Sequence, residues 1–299
     1  MPDPLAWILL AAVAGLMVGS FINVLVWRLP QIMERQWREE LAAQADLPAA
    51  ADAPHDAAAA FVSSQGAPRP REASLSLWRP GSACPLCGHR LAWVELVPVL
   101  SWAIQGGRCR HCGGRISARY PLVEIATALV WAWAAWRWGP AGQALAWAGM
   151  CTTLLALALI DWDTTLLPDV LTLPLLWAGM AAASLGLTGI TLETSFWGAV
   201  GGYGVLWVTC QGFFLVTGRE GMGQGDFKLL AALGAWFGWP ALVPVLLLAS
   251  LAGLAGGLAL RVAGGLREGG YFPFGPFLVL AGLVNIGFGP FDVRTFLGV

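Results

Sequence analysis

Eight apolar runs decide what this chain can become. They fall at 5–29, 119–138, 141–160, 168–187, 194–217, 226–238, 240–263 and 272–289. A helix needs about 20 residues to cross roughly 30 Å of hydrocarbon, so the run at 226–238 is the short one. Glycine and proline recur inside the runs, as membrane helices tolerate. Only 12% of the 299 residues are charged, against about 25% in soluble domains. The expectation is an all-α polytopic membrane protein with about eight transmembrane helices and the lipid bilayer as its solvent. The basic residues gather on no soluble module, and no nucleic-acid partner is expected. The first run follows no basic segment and is too long for a cleaved signal, so it is expected to stay as a helix.

Arginine placement orients the helices. Arg35, Arg38, Arg69, Arg71, Arg79, Arg90, Arg108, Arg110 and Arg115 all lie between the first two runs. Basic loops stay in the cytoplasm. With that loop inside, Arg219, Lys228, Arg261 and Arg267 also lie inside, and Arg137 and Arg294 outside. The N-terminus is then periplasmic. Three parts are expected: a first helix at 1–30, a cytoplasmic loop domain at 31–118, and a membrane domain at 119–299. Within the loop, Glu34 to Glu40 suits a short helical turn or two at the membrane surface. The Ala/Pro/Asp-biased stretch 41–76, with His55 in it, reads as disordered. Residues 91–104 are apolar but short, an interfacial or re-entrant piece.

Four cysteines give the loop its chemistry. Cys84, Cys87, Cys109 and Cys112 form two C-x2-C pairs separated by 21 residues. Two such knuckles set four thiolates at the corners of a tetrahedron, the arrangement structural zinc prefers. Gly88 and Gly113 follow each pair and permit the tight turn. Disulfides or free thiols are the alternatives, and a cytoplasmic loop disfavours the former. His89 and His111 are expected to point away, and Cys151 and Cys210 to sit in apolar helices as small packing residues.

Carboxylates are costly in a membrane segment and therefore informative. Asp161, Asp163 and Asp169 close the third run and open the fourth; Glu220 and Asp226 precede the sixth. Asp161 and Asp226 both fall at cytoplasmic helix ends. Close together they would form an aspartic dyad, one ionised and one protonated, titrating jointly. The plainer readings make Asp169 an N-cap, Asp163 a solvated charge, and Arg219 and Lys228 lipid-headgroup anchors. Asp226 as a mere cap leaves Gly221, Gly223 and Gly225 unexplained; these are expected to free the backbone and admit a substrate strand. A proton-coupled transporter with an Asp161/Asp226 relay is the rival reading.

Motifs in order along the chain carry a resemblance. G-S-F-I-N-V-L-V-W-R-L-P (19–30), the cysteines within S-A-C-P-L-C and before R-I-S-A-R-Y-P-L-V-E, L-I-D-W-D-T-T-L-L-P-D-V-L-T-L-P (159–174), E-G-M-G-Q-G-D-F-K-L-L (220–230) and F-P-F-G-P-F (272–277) follow one another. The chain resembles the bifunctional type IV prepilin peptidases, and its G-x-G-D also resembles that of presenilin-type intramembrane proteases. The resemblance implies a catalytic Asp161/Asp226 pair, with Gly223 and Gly225 completing the motif and Glu220 a candidate for meeting a basic leader. It implies prepilin and pseudopilin substrates, cleavage at the cytoplasmic face of the bacterial inner membrane, and contact with pilus or secretion machinery. N-methylation of the new terminus with S-adenosylmethionine is implied too, without residues to assign to it. W-V-E-L-V-P stands where W-Y-E-N-I-P would be commoner.

Overall fold

A computed structural model describes residues 3–45, 76–219, 221–262 and 273–288. Among them every regular element is a helix: α1 Pro4–Ala45, α2 Leu100–Ile104, α3 Arg119–Trp138, α4 Gly142–Thr164, α5 Asp169–Ser184, α6 Leu192–Thr217, α7 Gln224–Phe237, α8 Leu242–Val262 and α9 Gly275–Phe288. Each apolar run of the sequence forms one of these helices. Among the described residues four stretches are long and apolar enough to cross a membrane: Pro4–Gln44, Gly142–Thr164, Leu192–Thr217 and Trp239–Ala259. Asp169–Ser184 and Gly275–Gly287 are shorter apolar helices.

Two departures from expectation have local causes. α1 does not stop near Leu29 but runs on to Ala45 through Pro30. An established helix extends at little cost through good helix formers, and Leu41, Ala42, Ala43 and Ala45 are such residues. Arg38 pairs with Glu34 one turn away at 3.1 Å. The start of the stretch read as disordered is therefore helical; its residues 46–75, with His55, lie outside the described residues. The apolar piece between the cysteine pairs holds a 3-10 turn at Trp93–Leu96 and the five-residue α2, too short to span.

α7, the shortest of the expected spans, is the most enclosed: every residue from Leu229 to Phe237 is buried. At 1.5 Å per residue its 14 residues reach about 21 Å,, so neighbouring helices, not lipid, must cover it. Small residues let them approach. A Cβ on Gly198 of α6 would run into the Gly234 carbonyl of α7, and one on Gly202 would lie 2.6 Å from the Leu230 oxygen. Such close backbone approach is how helices associate where no hydrophobic effect drives them together. Two polar bonds fix the register: Ser195 Oγ donates to the Ala235 carbonyl at 2.6 Å, and Trp236 Nε1 to that of Leu175 at 2.9 Å. Leu154 and Leu157 of α4, Leu229, Leu230 and Leu233 of α7 and Leu278 of α9 complete this core.

α1 packs on α3 by the same device. A Cβ on Gly15 would come within 2.7 Å of Ala128 Cα, and one on Gly19 within 2.7 Å of Glu124 Cα. Buried Glu124 then reaches out of α3 to accept the Val99 N–H at 2.7 Å. Arg28, also buried, donates to the carbonyls of Ser76 and Leu77 at 3.0 and 3.2 Å. These bonds tie the cysteine-bearing segment to the helices.

Candidate active site and metal centre

The two cysteine pairs fold into near-identical knuckles. In the first, Gly88 N–H returns to the Cys84 carbonyl at 2.9 Å and Cys84 N–H donates to that of His89 at 2.9 Å. In the second, Gly113 N–H reaches Cys109 and Cys109 N–H reaches Gly114, both at 2.8 Å. Gly88 and Gly113 sit at φ of 71° and 69°, the left-handed region the turn demands,. One bridge pair closes each knuckle, Ala83 with Arg90 and Arg108 with Arg115.

The four sulfurs lie within 4.8 Å of one another, and Cys84 Sγ is 3.9 Å from Cys112 Sγ. Four thiolates at about 2.3 Å from a tetrahedral ion would be about 3.8 Å apart. None of the four forms a disulfide, so the set fits a metal ion. Backbone N–H groups of Leu86 and Cys87 aim at Cys84 and lower its thiol to about 7, while, against the His89 N–H, desolvation and the neighbouring thiols push that of Cys87 up to about 12; metal binds the thiolate form, so loading the set releases protons. His89 and His111 stack ring on ring at 4.9 Å beside the cluster and are not among its four ligand groups.

Four aspartates lie at the end of α4 and the starts of α5 and α7. Asp161 is buried near the end of α4, 4% exposed. Its Oδ2 accepts the Gly275 N–H, at the start of α9, at 3.0 Å. Asp226 lies in the first turn of α7, and Asp161 is the charged group that acts on it electrostatically. The carboxyl of Asp226 is not a cap: Gly223 occupies the N-cap position, and Asp226 Oδ1 is buried with no hydrogen-bond partner among the described residues. Leu167 bridges the two helix starts, since a Cβ on Gly225 would meet its Cβ at 2.8 Å and one on Gly275 its Cδ1 at 3.4 Å.

Several plainer readings of the sequence give way here. Asp169 does not cap α5; Pro168 holds that position, and both Asp169 oxygens accept from Lys228 Nζ at 2.7 Å. Lys228 is thus a partner across α5 and α7, not a headgroup anchor. Asp163 is no free loop charge, because α4 continues to Thr164 and Arg119 donates to it at 2.9 Å. The glycines adopt no left-handed conformation at 221, 223 or 225. Their use is space: Gly225 admits Leu167, Gly221 lies against Phe213, and open space faces Gly223. Glu220 lies outside the described residues. Gly275 and Leu167 were not singled out by the sequence, although F-P-F-G-P-F marks where α9 begins.

A cavity of about 500 Å³ opens between α4 and α5, lined by Leu145, Met150, Leu175, Trp236 and other apolar side chains with Thr153 as its one hydroxyl.

Residues 13–138 match the model of the bacterial peptidase A24 N-terminal domain, and 148–258 that of the type IV leader peptidase family. The cysteines fall in the first match and both aspartates in the second. The chain is 44% identical to a prepilin leader peptidase/N-methyltransferase of Pseudomonas aeruginosa, over 98% of this chain and 94% of that protein. A protein of that name from Burkholderia pseudomallei is 47% identical over 93% and 84%, and one from Aeromonas hydrophila 42% over 95% and 91%. No solved structure matches. With such coverage by named relatives, the chain belongs to the type IV leader peptidase family.

Proposed function

We propose that this chain is an aspartic endopeptidase of the membrane that removes the leader from prepilins and pseudopilins and then N-methylates the new terminus. What supports the reading is the electrostatic reach of Asp161 to Asp226 from neighbouring helix ends, with Leu167 lying against both Gly225 and Gly275. In the proposed reaction one carboxylate takes a proton from water as its oxygen attacks the scissile carbonyl carbon. The other carboxylic acid gives its proton to the carbonyl oxygen. Collapse of the tetrahedral species breaks the C–N bond, and the amine leaves with a proton from the pair. The open space at Gly223 suits the close approach of an extended substrate backbone. Glu220 is proposed to meet the basic leader.

All eight long helices are proposed to belong to the membrane body, with the N-terminus periplasmic and the dyad at the cytoplasmic face of a bacterial inner membrane. The enclosed α7 would be held there by its neighbours. In this arrangement 1–30 is the first span, 31–118 the cytoplasmic loop domain and 119–299 the peptidase domain. Zn2+ is the proposed occupant of Cys84, Cys87, Cys109 and Cys112, with a structural role that matches a closed four-thiolate set. S-adenosylmethionine is the proposed methyl donor, and pilus or secretion machinery the proposed setting.

The test is direct. Detergent-solubilised protein is incubated with a prepilin and S-adenosylmethionine, and the mass of the product N-terminus is read. Leader loss plus one added methyl group is expected. An intact prepilin, with the protein folded and metal-loaded, would overturn the reading.

A further inference from the structure

We infer that Gly275 is a positioning residue for the dyad, acting on Asp161 through both its N–H and its missing side chain; the inference rests on the peptidase reading above. The N–H of Gly275 donates to Asp161 Oδ2 at 3.0 Å across 114 positions of sequence. It is the donor that the first turn of α9 has to give. Pro276 carries no N–H, and those of Phe277 and Leu278 turn back to the Phe274 carbonyl at 3.0 and 3.2 Å,. The helix start therefore delivers one unsatisfied N–H, and the positive end of its dipole, to the buried carboxylate.

The glycine is there for space, not for backbone freedom. Gly275 is not among the residues with left-handed φ, so alanine can adopt its conformation. A Cβ at 275 would nevertheless stand 2.6 Å from Asp161 Oδ2 and 3.1 Å from its Cγ. Real Cβ atoms do not come so close, so the carboxyl would have to rotate away. The contact with Leu167 is looser, at 3.4 Å. Displacement thus falls on the aspartate. A carboxyl turned by an ångström or so loses the geometry shared with Asp226, and misplacement on that scale costs on the order of 100-fold in rate.

Three variants test this in detergent, each assayed for prepilin cleavage and for methylation of a pre-cleaved peptide. Gly275→Ala is expected to lower kcat for cleavage by about 10- to 100-fold with KM changed by less than about 2-fold, because only the reacting geometry is touched. Methylation of the pre-cleaved peptide stays at the wild-type rate. Gly275→Ala combined with Leu167→Ala stays as slow, because the clash is with Asp161. Gly282→Ala, also in α9, whose Cβ would press on Leu233 Cδ2 of α7 at 2.9 Å, lowers the unfolding temperature and leaves cleavage kcat alone. Wild-type kcat in Gly275→Ala, a loss carried by KM, rescue by Leu167→Ala, or a parallel loss of methylation would each overturn the role of Gly275. Wild-type protein that leaves prepilin intact would instead overturn the peptidase reading itself.

Discussion

The cysteine cluster and the aspartate pair are built by opposite strategies. Each half of the cluster is a local turn: C-x2-C-G sets its own hydrogen bonds within six residues, from Cys84 to His89 and from Cys109 to Gly114. Few apolar side chains support it, and Leu86, Trp93 and Ile104 around it are exposed. The aspartates come from helices whose chemistry is distant in sequence, and only the packing of α4, α7 and α9 joins them. A site made of local turns needs a ligand to hold its halves together. A site made of packed helices needs close backbone contact and well-placed glycines.

Removing the ligand should break the first site and spare the second. Stripping metal with a chelator, or Cys84→Ser with Cys109→Ser, forfeits a binding free energy on the order of 10 kcal/mol for structural zinc. Trypsin is then expected to cut within 76–118 at arginines it formerly spared, while the helical circular dichroism of the membrane body remains. Because bound thiolates exclude protons, metal retention weakens as pH falls and uptake releases protons. A metal-free preparation with an equally protected loop would show that the knuckles do not depend on an ion.

The converse perturbation spares the cysteines. Asp161→Asn or Asp226→Asn is expected to lower cleavage by at least about 10³-fold, which is about 4 kcal/mol of barrier. Metal content and methylation of a pre-cleaved peptide should stay unchanged. A cut in metal content would mean the two regions are one cooperative unit.

This contrast also explains what could be read from the sequence. Spacing encodes the cysteine knuckles, so the clustering of the four thiols and the glycine turns was legible. Hydropathy located the helices one by one, with the ends that carry Asp161 and Asp226 off by two to four residues. It could not give the contacts between them. The Lys228–Asp169 pair, the Asp163–Arg119 pair and the Gly275 N–H on Asp161 join residues 44 to 114 positions apart. The end of α1 was missed for another reason: composition shifts from apolar to Ala/Glu/Arg after Pro30, but helical propensity does not.

Two smaller effects refine the second half of the comparison. Ser195→Ala removes the hydroxyl that joins α6 to the Ala235 carbonyl and is expected to cost about 1 kcal/mol, read as a lower unfolding temperature in detergent. Lys228→Ala breaks a partly exposed ion pair with Asp169, and is expected to cost only about 0–1 kcal/mol, with cleavage slowed less than about 5-fold. A loss as large as that of the aspartate variants would make Lys228 part of the reacting site.

The central claim is that Asp161 and Asp226 work as one unit, and the kinetics of the double variant test it most directly. Groups that act together are non-additive, so Asp161→Asn/Asp226→Asn should cleave prepilin at the same residual rate as either single variant, within about 3-fold. If the double variant falls below the singles by the product of their separate losses, the two carboxylates act independently and the dyad assignment is wrong.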